Sequence, residues 1–140
     1  MATAEKVVGL ALQELEEEDG RIIHFLNVDH NCNVDRDGID KLIFLAGGLC
    51  LPLQVKKKNS ELTHHRRRHP HVKAVIVVKS KRHGRDDVKL IRSYAGVIIV
   101  AVNRGKIKDG EEDQEETIRN VKQALLIILD LSVEEFKKVF

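Results

Sequence analysis

Residues 37–56, which read DGIDKLIFLAGGLCLPLQVK, decide the fold of this chain. Two apolar runs, 39–46 and 49–56, flank the pair Gly47-Gly48. This arrangement predicts a β-hairpin, because tight hairpin turns need residues that accept positive φ angles. We therefore expect two antiparallel strands whose open end brings the start of the first strand beside the end of the second.

Three polar side chains lie at that open end of the predicted hairpin. Asp40 is near the start of the first strand, and Gln54 and Lys56 are at the end of the second. Residues two apart on a strand point to the same face, so an oxygen of Gln54 and the ammonium of Lys56 are expected to converge with Asp40. Carboxylate and amide oxygens suit Mg²⁺, and a lysine stabilises negative charge on a phosphate. The pattern favours metal-assisted hydrolysis of a phosphodiester.

The rest of the chain predicts helices and strands around this hairpin. Hydrophobic spacing and capping residues predict helices over residues 4–19, 60–69, 86–95, 113–129 and 133–140. Apolar runs predict strands over 21–28, 39–46, 49–56, 72–79 and 97–102. We therefore expect an α/β fold in the order α-β-β-β-α-β-α-β-α, in which helices flank a mixed central sheet.

The charge of the chain is divided into blocks. Residues 1–53 contain 4 basic and 10 acidic side chains, whereas residues 54–92 contain 13 basic and 3 acidic ones. An acidic block followed by a basic block suits a site that holds a metal ion beside a polyanion. The alternative interpretation is that both blocks are solvated surfaces.

Composition excludes several classes of protein. No apolar run approaches the ~20 residues that span a bilayer, so we expect no membrane insertion. The two cysteines, Cys32 and Cys50, cannot build a disulfide framework, and the first residues lack the order of a secretory signal. These features predict a cytoplasmic protein.

The hairpin and its surroundings resemble the PD-(D/E)XK nuclease superfamily, particularly its small restriction-endonuclease-like and Holliday-junction-resolvase-like members. In that superfamily a helix precedes a hairpin with an acidic residue, and the next strand ends in (E/Q)-x-K. Here Asp40 matches the acidic position and Gln54-Val55-Lys56 matches the tripeptide as a QxK variant. Most members have Glu at the position of Gln54. The resemblance covers residues 5–103.

The resemblance implies the activity and its residues. It implies a metal-dependent nuclease in which Asp40, Gln54 and Lys56 are catalytic. The metal would be Mg²⁺, with Mn²⁺ as a substitute, bound by Asp40, Gln54 and Glu5 of the first helix. The resemblance implies that the substrate is a nucleic acid, and it favours DNA. A homodimer is also expected, because two copies of a small domain are suited to cutting two strands.

The resemblance also implies how the chain is organised. It predicts one nuclease-like domain over residues 1–140, with a restriction-endonuclease-like core over 4–103 and a C-terminal helical extension over 113–140. All of these residues would belong to one compact unit, because single domains of ~100–150 residues are common.

A basic tract follows the tripeptide. It contains Lys57 and Lys58, and then Arg66, Arg67 and Arg68. Beside a phosphodiester these side chains are expected to contact backbone phosphates. The tract lacks interleaved aromatic residues, which favours recognition of the backbone or its shape over base identity. A solvated charged loop is the alternative.

Two other metal sites receive less support. A zinc site built from Cys32, Cys50 and the nearby histidines lacks any CxxC pair. The run over residues 29–37 has alternating oxygen ligands like those of a calcium loop, but Val34 stands where that loop requires glycine.

Two other functions remain open. The neutral Gln54 is consistent with a nucleic-acid-binding module that keeps the nuclease fold and does not cleave. The charge blocks are also consistent with a small regulatory or interaction protein. Cleavage, binding without cleavage, and absence of DNA binding at low salt distinguish the three hypotheses.

Overall fold

The computed structural model describes residues 3–28, 38–57, 72–80, 82, 84–94 and 96–139, which form two helices and eight strands. The helices are α1 (Ala4–Glu18) and α2 (Gln114–Val139). The strands are β1 (Ile22–Asn27), β2 (Lys41–Leu45), β3 (Leu49–Lys56), β4 (Ala74–Lys79), β5 (Val88–Tyr94), β6 (Val97–Asn103), β7 (Ile107–Lys108) and β8 (Glu111–Glu112). The predicted α/β class is confirmed. The predicted helix over 60–69 lies outside the described residues.

Six strands form one mixed sheet in the order β1-β2-β3-β4-β6-β5. The first three strands are antiparallel neighbours, β3 and β6 both run parallel to β4, and β5 is antiparallel to β6. The two short strands β7 and β8 form a separate hairpin. The sheet is therefore antiparallel at both edges and parallel in its centre.

The first helix and the hairpin form as the sequence predicts. The Thr3 hydroxyl accepts a hydrogen bond from the Lys6 N–H at 3.2 Å, which caps the start of α1. Gly47 and Gly48 have φ angles of 94° and 84°, which side chains rarely tolerate. The glycine pair therefore lets β2 return directly into β3.

The main core lies between one face of the sheet and both helices. Its buried side chains include Leu12 of α1, Leu125 of α2 and Leu53 of β3. A second apolar cluster, which includes Val75 and Ile99, lies on the opposite face of the sheet. We call these the helix face and the second face. Burial on both faces explains why the central strands are continuous apolar runs.

The predicted helix over residues 86–95 is wrong, because this segment contains strand β5. It pairs with β6 along its length, and Gly96, with a φ of 78°, lies in the turn between them. The register with β6 shifts between Leu90 and Arg92, which makes Ile91 an extra residue on β5. The apolar Leu90 and Ile91 are therefore consecutive at this irregularity. Such a bulge breaks the two-residue alternation and produces a spacing that resembles that of a helix.

The C-terminal part of the chain is one helix instead of two. The sequence predicts a break before Ser132, but α2 continues to Val139 because neither glycine nor proline interrupts it. Val121 and Leu125 of α2 belong to the main core. Neither of the two described helices is long and apolar enough to cross a membrane.

Candidate functional site

The polar end of the sheet holds most of the residues singled out above. The carboxyl ends of β1, β3, β4 and β6 meet here with the amino ends of β2 and β5, as the strand directions require. In α/β proteins, ligands commonly bind beyond the carboxyl ends of parallel strands. We define the polar end by Asn27, Asp40, Lys56, Lys79 and Asn103.

Asp40 lies beside the end of β3. Its carboxylate Oδ2 accepts a hydrogen bond from the backbone N–H of Val55 at 2.8 Å. Its own backbone N–H donates to the Leu53 carbonyl at 2.9 Å, so two hydrogen bonds to β3 hold it in place. Val55 is the residue between Gln54 and Lys56. The hairpin therefore brings the carboxylate to the backbone of the tripeptide.

Gln54 and Lys56 lie on the second face of the sheet. Val55, between them, packs into the core under the helices, and successive side chains of a strand alternate between faces. Gln54 pairs with Val75 of β4, and Lys56 pairs with Val77. The expected common face of Gln54 and Lys56 agrees with this register.

Gln54 carries a buried oxygen that lacks a protein partner. The side chain is 6% exposed, and among the described residues no donor reaches its Oε1 atom. A buried carbonyl oxygen without a hydrogen bond is unfavourable by ~1–3 kcal/mol. A ligand or an ordered water at this position would supply the missing contact.

Glu5 and Asp40 line one pocket on the side of α1. The pocket has a volume of about 460 Å³ and is also lined by Asn27, Lys41 and Gly9. Gln54 and Lys56 are not among its lining residues. Asp40 thus lies between this pocket and the tripeptide, whereas Glu5 approaches from the helix side.

Lys41 is a site residue that the sequence analysis missed. It is 6% exposed, and its ammonium donates a hydrogen bond to Oδ1 of Asn27. Burial lowers the pKa of the Lys41 ammonium, and the negative charges of Glu5 and Asp40 act in the opposite direction. The sequence signal that could have revealed Lys41 is its position two residues before Ile43. Residues two apart on a strand share a face, so Lys41 belongs to the buried face of an apolar strand.

Other expected ligands contribute little to the described structure. Among the residues that the structure describes, no three His, Cys, Asp or Glu side chains are grouped to hold a metal ion. Cys50 is an exposed residue of β3, and the partial desolvation of its thiol raises the pKa of that group. Cys32 and the oxygen-rich run over 29–37 lie outside the described residues, as do the histidines proposed for zinc.

The basic tract is described only at its start. Lys57 is exposed directly after β3. Lys58, Arg66, Arg67 and Arg68 lie outside the described residues.

A different basic group lies farther along the polar end. A cavity beside β4, β5 and β6 is lined by Lys79, Arg85 and Lys89, none of which the sequence analysis assigned to a site. Their positions on separate elements explain why no local pattern reveals them.

No family model matches the chain, and no curated protein or solved structure matches it.

Proposed function

We propose that this protein is a metal-dependent nuclease that hydrolyses phosphodiester bonds in DNA. The observation that carries the proposal is the hydrogen bond from Val55 to Asp40, together with the buried Oε1 of the neighbouring Gln54, which has no partner among the described residues. A carboxylate and an unsatisfied amide oxygen at one strand end are suitable for a hard cation.

The ion we propose is Mg²⁺, with Mn²⁺ as a substitute. Asp40 would hold it through a carboxylate oxygen, either with Glu5 in the pocket that the two residues share or with the Gln54 oxygen on the second face. Mg²⁺ is usually bound by one or two carboxylates and by substrate phosphates, so a small protein ligand set is sufficient. When bound, the ion polarises the phosphate and lowers the pKa of a coordinated water.

Lys56 supplies a positive charge two residues after Gln54 on β3. Its ammonium is half-buried on the same face as Gln54. There it would orient the attacking water or stabilise the negative charge that develops on the phosphate. The hydrogen bond from Val55 holds the Asp40 carboxylate in place while the substrate binds.

The order of the elements supports a restriction-endonuclease-like fold. A helix is followed by an antiparallel hairpin, and the second strand of the hairpin, β3, lies parallel to the next strand, β4. Strand β5 stands where the superfamily resemblance implies a helix, and this is the main departure. We further propose that the enzyme acts in the cytoplasm as a homodimer, so that two sites face the two strands of a duplex.

A cleavage assay tests the proposal. Supercoiled, linear and branched DNA are incubated with the protein in Mg²⁺, Mn²⁺ or EDTA. We expect cleavage with either metal and none with EDTA. Lys56→Ala should reduce the rate by about 100-fold or more while the circular dichroism spectrum and melting temperature stay unchanged. Lys108→Ala, at an exposed position on β7, is the matched control and should cleave normally.

Full activity of Lys56→Ala removes the proposed role of this lysine. Absence of cleavage by the wild-type protein with every metal and DNA form refutes the nuclease proposal. The neutral amide of Gln54 favours a second candidate, a DNA-binding module without catalysis, because it attracts a cation less strongly than a carboxylate does. Gln54→Glu separates the two, since a nuclease should then cleave at lower Mg²⁺ concentration.

A further inference from the structure

A second cavity lies at the polar end, on the second face of the sheet. It has a volume of about 380 Å³ and lies between the carboxyl ends of β4 and β6 and the start of β5. Its lining residues are Lys79, Gly84, Arg85, Asp86, Lys89, Ile91, Ala101 and Asn103. The register pairs Lys79 with Asn103 and Lys89 with Ala101, so these residues come from three adjacent strands.

Asp86 and Asp87, at the edge of this cavity, are held by hydrogen bonds. The Asn103 side-chain amide donates to the Asp86 carbonyl at 3.0 Å, and the Asn103 backbone N–H donates to the Asp87 carbonyl at 2.7 Å. Arg82 binds the Asp87 carboxylate at 2.8 Å and the Arg104 carbonyl at 2.7 Å. The cavity wall is therefore built before any ligand arrives, which reduces the entropy lost on binding.

The charge of the cavity favours an anion. Lys79, Arg85 and Lys89 contribute three positive charges, against the single carboxylate of Asp86. None of these three cations takes part in the ion pairs found among the described residues, whereas Arg82 does. Burial also lowers the pKa of the Lys79 ammonium, and an anion at this position would offset that effect.

The cavity lies in line with the proposed catalytic residues. Lys56 pairs with Val77, which is two residues before Lys79 on the neighbouring strand. Strand spacing and rise place the Cα atoms of Lys56 and Lys79 about 8 Å apart. Lys79 lies two residues after Val77 on β4, so both side chains point to the second face. Lys56, which pairs with Val77, belongs to the same face. A DNA strand at Lys56 therefore has a nearby phosphate within reach of the cavity.

We propose that this cavity binds one phosphate group of the DNA backbone, held by Lys79, Arg85 and Lys89. The identity of the polyanion rests on the proposed function, but binding here does not need cleavage. Arginine binds phosphate through two parallel hydrogen bonds, and the lysines add point charges. Contacts of this kind position DNA without reading its sequence.

The test measures binding in EDTA, so that no metal-dependent cleavage occurs. A short fluorescent DNA duplex is titrated with wild-type protein and with a triple variant carrying Lys79→Gln, Arg85→Gln and Lys89→Gln. We expect the variant to bind about tenfold more weakly. The slope of log affinity against log salt should fall by about one, as for the loss of one neutralised phosphate.

A second triple variant is the matched control. Lys106→Gln, Lys108→Gln and Arg119→Gln also remove two lysines and one arginine, all at exposed positions away from the cavity. We expect it to bind within about twofold of the wild type, because distant exposed charges are screened by salt. Equal loss of affinity in both triple variants, or none in the cavity variant, overturns the proposal.

Two further measurements keep the outcome decisive. Lys89→Gln alone changes one exposed side chain and should weaken binding even if the triple variant folds poorly. Millimolar inorganic phosphate tests the other source of the same chemical group. One outcome would assign the cavity to free phosphate and overturn the DNA proposal. In that outcome, phosphate raises the melting temperature of the wild type but not of the cavity variant, and the cavity variant binds DNA as tightly as the wild type. Wild-type protein that binds DNA through this cavity and never cleaves it refutes the nuclease and leaves this inference standing.

Discussion

Two buried amides at different places in the fold have opposite surroundings. Gln54, at the end of β3, is 6% exposed, and none of the described residues donates to its Oε1. Asn120, on α2, is 5% exposed, and its side-chain amide donates to the Asn103 carbonyl at 3.2 Å. The first amide lacks a partner that a ligand can supply, whereas the second joins a helix to a strand.

The surroundings of Asn120 show how a structural polar region is built. The Thr117 hydroxyl accepts the Gly105 N–H at 2.7 Å, and the Asp113 carboxylate caps α2 by accepting the Glu116 N–H at 3.1 Å. Most polar groups in this junction between β6 and α2 bond to one another. The Arg104 Nε in this junction is also buried without a partner among the described residues, so an unsatisfied polar atom indicates a ligand site only together with neighbouring groups that could bind the same ligand.

The largest effect is expected from Gly105→Ala in the satisfied region. A Cβ atom at residue 105 would overlap the backbone carbonyl oxygen of Asp113, and backbone cannot move aside cheaply. We expect the free energy of unfolding to fall by about 3 kcal/mol. Urea denaturation measures this change.

Gly20→Ala is the control for that substitution. No atom lies within 4 Å of a Cβ at residue 20, so we expect a change within about 0.5 kcal/mol. If Gly105→Ala is as stable as Gly20→Ala, residue 105 does not pack closely against the Asp113 carbonyl before α2.

The next effect compares the two amides directly. Asn120→Leu removes a satisfied amide and leaves the Asn103 carbonyl without this donor, so we expect a loss of ~1–3 kcal/mol. Gln54→Met removes an oxygen that has no described partner and keeps a similar shape. We expect its stability to stay equal to the wild type or to rise by ~1 kcal/mol, while DNA cleavage falls.

Urea denaturation and the plasmid assay are carried out on both amide variants. A loss of stability in Gln54→Met comparable to that of Asn120→Leu would show that Gln54 is structural. The contrast between the two regions would then have no bearing on function.

The smallest effect concerns pH and Lys41. Burial lowers the pKa of the Lys41 ammonium, so the folded state releases this proton more readily than the unfolded chain. At neutral pH the charged form of Lys41 therefore lowers the free energy of unfolding. This loss of stability disappears as pH rises toward the pKa of the lysine in the unfolded chain, ~10.4. We expect the wild type to gain stability relative to Lys41→Met over that interval.

Urea denaturation at a series of alkaline pH values measures this difference. Lys106→Met, at an exposed position, corrects for the general effect of removing one ammonium group. A difference between wild type and Lys41→Met that does not change with pH would contradict the burial of this charge.

The success of the sequence predictions depended on how local the signal was. Strand β3 was predicted with its observed bounds, because Gly48 precedes it and a continuous apolar run fills it. Hairpin geometry brings Asp40 beside the end of β3, where it accepts a hydrogen bond from Val55, whereas its convergence with Gln54 and Lys56 on one cation stays a prediction. Strand β5 was predicted as a helix, because a bulge at Leu90 changed the spacing of its apolar residues.

The sequence by itself determined the hairpin, the cap at Thr3 and the mixed α/β class, because turn residues, caps and apolar runs act over a few neighbouring positions. The burial of Lys41 near Glu5, the absence of a donor to the Gln54 oxygen among the described residues, and the cavity shared by Lys79, Arg85 and Lys89 all follow from the tertiary arrangement. Burial and convergence depend on which strands become neighbours, and residues far apart in the chain set that order.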